Sequence, residues 1–191
     1  MSVFQILMLA VTAFFAYKVY EHINTLEDPP EPKPSRDSLS SFDPEILMDR
    51  ADEAVQQRDF KRAAALLQEA HVKASDNTEI LNKLGFVLAQ NGDLQAAIET
   101  YLKSLAIDER DDVTHNAIAS LYRRTSEFDK AKQHYERALE LDDAYEVTYY
   151  NFANLLVQMG EKDKAIAMYE KALELNGDLE EAAQELEKLR G

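Results

Sequence analysis

DFKRAAALLQEA (59–70), DLQAAIETYLKS (93–104), EFDKAKQHYERA (127–138) and EKDKAIAMYEKA (161–172) are one pattern written four times. Ala63, Ala97, Ala131 and Ala165 stand 34 residues apart. Four positions after each comes a large side chain: Leu67, Tyr101, Tyr135 and Tyr169. Three positions further on the chain returns to small residues, at Ala70, Ser104, Ala138 and Ala172. The stretch before each segment repeats as well. Ala51, Gly85, Ala119 and Ala153 share one register, and Ala54, Leu88, Tyr122 and Leu156 share another. No insertion breaks the period between Pro44 and Leu179. A fixed period of this length marks an array of identical supersecondary units.

Within each unit the apolar residues recur at helical spacing in two blocks joined by a short turn, which predicts two amphipathic helices. Gly92 and Gly160 occupy the turn in two units, where a left-handed cap is wanted. Arg58 and Ser126 hold that place in the other two. At positive φ each would cost about 1 kcal/mol relative to glycine. Asp43-Pro44 opens the array as an N-cap followed by proline at the first helical position. Residues 180–190, EEAAQELEKLR, form one more helix with charge on its outer side, as the end of a solenoid requires.

The unit running from Leu81 to Leu105, L-N-K-L-G then G-D-L, A-I, Y and L, resembles the tetratricopeptide repeat. The resemblance covers residues 44–191, about three quarters of the chain. It implies an all-α, right-handed α-solenoid of four helix–turn–helix units (44–77, 78–111, 112–145 and 146–179) closed by a capping helix over 180–191. Two departures stand out. The proline that often ends a unit in this family is replaced by Ser75, Glu109, Asp143 and Gly177. Arg50 stands where later units have Leu84, Ile118 and Phe152, which marks the first unit as a partly exposed terminus.

The resemblance also implies a concave groove, lined by the first helix of each unit, that receives a segment of a partner protein. In that register the groove presents Glu45, Met48, Asp49, Asp52 and Gln56 from the first unit, and Asn82, Lys83, Phe86 and Gln90 from the second. The third offers Asn116, Ser120, Arg123 and Arg124, the fourth Tyr150, Asn151, Asn154 and Gln158. Asparagine amides can hold a peptide backbone, Phe86 and Tyr150 can anchor apolar side chains, and Arg123 or Arg124 can pair with a carboxylate. Asn151 and Asn154 match part of the clamp with which some relatives hold chaperone C-termini. The accompanying lysines are not in the right units, which argues against chaperone-tail binding.

Composition narrows the function from the other side. The chain has 191 residues, 46% of them hydrophobic, with 21 Lys+Arg against 36 Asp+Glu and a net charge of −15. So acidic a protein is a poor ligand for nucleic-acid phosphates. Without cysteine it has no thiolate nucleophile, disulfide or Cys-bound zinc. His22, His71, His115 and His134 fall in no metal-ligand spacing. His115, in the register of Leu47, Leu81 and Tyr149, reads as a packed histidine rather than a ligand. Carboxylate pairs such as Glu180/Glu181 and Asp142/Asp143 are solvated faces, and no phosphate-binding glycine motif occurs. Neither enzymatic activity, nor a cofactor, nor a small-molecule substrate is expected.

Ahead of the repeats, VFQILMLAVTAFFAYKVY (3–20) is an apolar run of 18 residues, at the short end of what spans a hydrocarbon core of about 30 Å. Val3, Phe4, Ile6, Leu7, Leu9, Phe14 and Phe15 supply its apolar surface. Tyr17, Lys18 and Tyr20 suit the interface. With no side-chain cation ahead of the run, an uncleaved single-pass anchor over 1–26 is favoured over a cleaved signal peptide. Thr12 and Ala16 form a small-xxx-small pair, a weak association signal. Lys18, Lys33 and Arg36 follow the run and place the rest of the chain on the cytoplasmic side. Residues 27–43, EDPPEPKPSRDSLSSFD, carry four of the five prolines and make a stand-off tether of roughly 50 Å. Pro29 to Pro32 also has PxxP spacing. Three readings result: a membrane-tethered adaptor facing the cytoplasm, the same module facing the periplasm as an envelope factor, or a non-catalytic subunit of a membrane complex.

Overall fold

A computed structural model describes residues 43–191. The anchor expected over 1–26 and the linker as far as residue 42 lie outside the described residues. Among those described there are nine helices and no strand. They are α1 Pro44–Gln56, α2 Phe60–Lys73, α3 Thr78–Asn91, α4 Leu94–Ile107, α5 Asp112–Arg124, α6 Phe128–Leu141, α7 Glu146–Gln158, α8 Lys162–Leu175 and α9 Glu180–Arg190. None of them is long and apolar enough to cross a membrane. The 34-residue period is visible in the elements themselves, because α2, α4, α6 and α8 begin at residues 60, 94, 128 and 162. Each helix packs on its neighbours in sequence, and α5 also meets α7 directly.

Helix starts are fixed locally. Asp43, Asp59, Asn77 and Asp111 each accept a hydrogen bond from a backbone N–H of the first turn they precede, at 2.9–3.1 Å. Pro44 sits in the first turn of α1, where the missing N–H costs nothing. Between paired helices the chain turns through a left-handed residue at one register: Arg58 (φ 58°), Gly92 (92°), Ser126 (64°) and Gly160 (77°).

The small-residue registers are where the helices touch. Ala51, Ala119 and Ala153 are fully buried, as are Ala63, Ala97, Ala131 and Ala165. A Cβ added to Gly85 would lie 2.9 Å from three ring carbons of Tyr101, so that ring rests directly on the α3 backbone. Tyr135 stacks on Phe152 of the following unit, with ring centroids 5.5 Å apart. At the ends of the array the pattern changes as expected. Arg50 is exposed. In α9, Ala182 and Leu186 are buried, while Lys188 and Arg190 pair with Glu185 and Glu170 on the outside.

His115 is buried in the third unit, in contact with α6. Its Nε2 faces the Glu109 carbonyl at 3.3 Å, and its Nδ1 lies 3.0 Å from His134 Nδ1. A carbonyl only accepts, so His115 carries its proton on Nε2, and His134 Nδ1–H donates to His115 Nδ1. Burial holds His115 below its usual pKa; Arg137 adds to this, while the Glu109 carbonyl, Asp111 and Asp112 oppose it. Burial, then the neighbouring His115, bring His134 down to about 4. Both rings are therefore neutral in the folded protein at pH 7.

Two outcomes follow for stability. Ser126→Gly should stabilise the protein by about 0.5–1 kcal/mol, because glycine adopts positive φ without a Cβ penalty. Gly92→Ala should cost about 1 kcal/mol for the same reason, with no steric conflict within 4 Å to confuse the reading. Urea titration of the three proteins measures both. The histidine pair gives a pH signature. The unfolded chain protonates near pH 6.5 and the folded one only lower, so the contribution of the pair is complete above that value and is lost as pH falls toward 4. Replacing His115 by Leu and His134 by Met, the residues that other units hold at those registers, should flatten the fall in Tm between pH 6.5 and 5. An unchanged slope would show that the pair carries no proton linkage.

Candidate functional site

The first helices of the four units, α1, α3, α5 and α7, present one continuous face, and two registers on it decide its chemistry. The first contains Asp49, Lys83, Ala117 and Asn151. Lys83 Nζ reaches back to Asp52 Oδ2 at 2.6 Å, across the seam between the first and second units, with Glu79 at 3.7 Å. Asn151 Nδ2 reaches back to Asn116 Oδ1 at 3.3 Å, across the seam between the third and fourth. Ala117 has no side chain long enough to reach back, so the seam between the second and third units stays open.

That seam holds a cavity of about 280 Å³. Phe86, Val113 and Ala117 form its apolar lining with the ring of Tyr101, and Asn82, Lys83 and Thr114 complete it. Phe86 and Val113 are 46% and 55% exposed, and both line the same opening. Larger depressions lie at the connection Lys73–Thr78 and around Gly92–Ala96, about 620 and 610 Å³, but no exposed large apolar side chain lines them.

The polar edge of the cavity is rigidly built. Asp111, the N-cap of α5, accepts from the Thr114 N–H (2.9 Å), from Thr114 Oγ1 (2.6 Å) and from Asn82 Nδ2 (2.8 Å). Asn82 Oδ1 also lies 3.0 Å from Thr114 Oγ1. The single hydroxyl proton goes to the carboxylate, since the charge-assisted bond is the stronger. Burial pushes the Asp111 carboxyl up, but the hydrogen bonds from Thr114 and Asn82 outweigh it and hold the group below the usual range. This triangle ties α3 to the start of α5 and so fixes the width of the open seam.

The second register contains Asp52, Phe86, Ser120 and Asn154 and governs the tyrosine beneath it. Ser120 Oγ lies 2.9 Å from Tyr135 Oη, and the Tyr169 hydroxyl donates to Asn154 Oδ1 at 2.7 Å. In the second unit Phe86 offers no such acceptor, and the Tyr101 hydroxyl has no hydrogen-bond partner among the described residues. Burial, then the charge of Asp111, push Tyr101 up to about 12, so it remains a neutral phenol. Burial also raises Tyr135, against the pull of Ser120 and Arg123. Tyr169 is pushed up to about 12, by burial first and then by Glu185 and Tyr150, with Arg123 opposing.

The side chains expected on this face fall into three groups. Asn82 and Phe86 join the open cavity. Ser120, Arg123, Tyr150 and Asn154 gather about Tyr135 and Tyr169, with the Tyr150 and Tyr169 rings 6.0 Å apart. Asn116 and Asn151 hold one another across the last seam. Arg124 is exposed and stands apart from these contacts. Tyr101, Val113, Thr114 and Ala117 were not among the expected residues. The signal for them was the small residue at 117 in a register otherwise filled by Lys83 and Asn151. Among the described residues no three His, Asp or Glu side chains converge as metal ligands.

Comparison with known proteins agrees with this architecture. Searching the curated proteins with the sequence returns no match. Among solved structures the chain is similar to MamA protein, with 27% identity over 76% of this chain and 80% of that one and a TM-score of 0.69. It is similar to the first repeat domain of Spaghetti (RPAP3) bound to the HSP90 peptide SRMEEVD, with 26% identity over 59% of this chain and 90% of that one and a TM-score of 0.58. The pilF protein of Pseudomonas aeruginosa shares the fold at 21% identity over 76% and 67% of the two chains, with a TM-score of 0.70. The tetratricopeptide repeat family model matches residues 76–144 and, in an overlapping frame, 112–178, more than half of the chain. With nine helices in 34-residue register and that match, the chain belongs to the tetratricopeptide repeat family.

Proposed function

We propose that the chain is a membrane-tethered adaptor whose first-helix face binds an extended or helical segment of a partner protein. The observation that carries this reading is the open seam between the second and third units. Two large apolar side chains, Phe86 and Val113, stand exposed there beside a fixed polar edge. A small apolar cavity with a few convergent polar groups is the common form of an anchor pocket. The repeat domain of RPAP3, a relative of the same fold, was solved with a peptide bound, which supports segment recognition as the task of the module.

Tethering rests on the apolar run Val3–Tyr20 and the proline-rich stretch after it. The cations that follow the run favour the cytoplasmic side for the repeats. An acidic module beside an anionic leaflet is repelled, so charge and linker act together to hold the face away from lipid.

A photoreactive amino acid placed at Val113 of the full-length chain in living cells should capture a discrete partner. The same group at Leu102, exposed on α4, should not. Ala117→Lys, which copies the residue of the second unit, should cut capture at Val113 at least tenfold while leaving helicity unchanged. Equal capture at both positions, unaffected by Ala117→Lys, would overturn the assignment of the face. For the tether, the full-length chain should stay with membranes through an alkaline wash and a chain beginning at residue 43 should be released. A reporter fused after Gly191 should be active only in the cytoplasm; periplasmic activity would reverse the orientation.

A further inference from the structure

Arg123 is out of keeping with its surroundings. Residues 44–191 carry 30 acidic and 18 basic side chains, so a cation on this module ordinarily finds a carboxylate. Lys83 on the same face has two, Asp52 and Glu79. Arg123 has none among the described residues, although it is half-buried. Its Nε is fully buried and meets no hydrogen-bond acceptor. A partly desolvated guanidinium with a buried unmet N–H and no counter-charge is an unfavourable arrangement in the unbound protein. The guanidinium hydrogen-bonds the Tyr135 hydroxyl, which Ser120 also engages, and its charge reaches Tyr169, but both are neutral phenols and neither supplies a counter-charge.

Resting on the binding face assigned above, we propose that the segment it receives is an internal acidic and apolar stretch of a partner protein. One aliphatic side chain enters the cavity between the second and third units, and one Asp or Glu side chain pairs with Arg123 at the next seam. Charge fixes the direction. The first unit presents Glu45 and Asp49, with Asp52 paired to Lys83, and repels an acidic group, so the acid lies on the fourth-unit side of the aliphatic anchor. The face continues beyond Arg123 to Val157 and Gln158, both exposed, so the bound chain has room to run on and need not end there. Asn151 Nδ2 already donates to Asn116, and Asn154 Oδ1 accepts from Tyr169; of the three side chains only the guanidinium carries a positive charge, which makes it the stronger anion-binding group.

The test is selection of a random-peptide library, joined at its C-terminus to the phage coat protein so that no free carboxylate is offered, on the immobilised full-length chain. The expected consensus has one aliphatic position and one Asp or Glu at a fixed distance on its fourth-unit side. Selection on Arg123→Gln should lose the acidic position and keep the aliphatic one; selection on Ala117→Lys should lose the aliphatic one. Changing the selected acid to its amide should weaken binding to the wild-type chain about tenfold, and leave binding to Arg123→Gln unchanged. An aliphatic consensus without an acid, or an acid still selected by Arg123→Gln, would sink the acidic-segment assignment and leave the binding face standing. Enrichment of no peptide by the wild-type chain would overturn both. Circular dichroism of the two variants guards against misfolding.

Discussion

The contact on which the structure depends is the close approach of paired helices at the small-residue registers. Ala51, Gly85, Ala119 and Ala153 let the second helix of each unit bring Leu67, Tyr101, Tyr135 or Tyr169 onto the backbone of the first. Any larger side chain there would push the pair apart, because close-packed interiors do not absorb an added methylene freely. In the second unit the Tyr101 ring rests 2.9 Å from where a Cβ of residue 85 would stand. The same contact recurs every 34 residues within the units, whereas the seams between them differ: α5 meets α7 directly, and the seam between α3 and α5 holds the cavity.

On this regular frame, single residues acquire large consequences. Lys83 and Asn151 each cross a seam to the preceding unit; Ala117 cannot, and one opening results. Phe86 replaces the hydroxyl or amide that satisfies the tyrosine in the later units, so the second unit presents an apolar wall where the third and fourth are closed by hydrogen bonds. Asp111 serves two purposes at once, capping α5 and holding Asn82 and Thr114 in place. The first-helix face is therefore uneven, and the unevenness lies in the centre of the array, away from the Arg50 end and the α9 cap.

Charge has two roles of different reach. The excess of carboxylates over residues 44–191 gives the module a net negative field that repels anionic groups. Against that field Arg123, without a carboxylate among the described residues, is a local exception on the first-helix face. The buried histidines show the opposite treatment of charge. His115 and His134 exchange one hydrogen bond and stay neutral, since burial penalises a proton on either ring.

By itself the sequence determined the all-helical class, the 34-residue units, the turn register that includes Arg58 and Ser126, and the exposed first unit marked by Arg50. These follow from periodicity and backbone preference, which act between near neighbours and are written along the chain. The candidate face was also readable as a set of registers, and two of its residues, Asn82 and Phe86, line the cavity. Which side chains share a cavity was decided only by the tertiary structure. Val113 and Ala117 matter because Lys83 and Asn151 close the flanking seams, and such closure is a relation between units that no single repeat contains. In the same way, Asn116 and Asn151 look alike as loose polar groups in the sequence, and packing brings them within 3.3 Å of one another across a seam. Hydrogen-bond partners 35 residues apart in the chain are a product of stacking, and only the folded array brings them together.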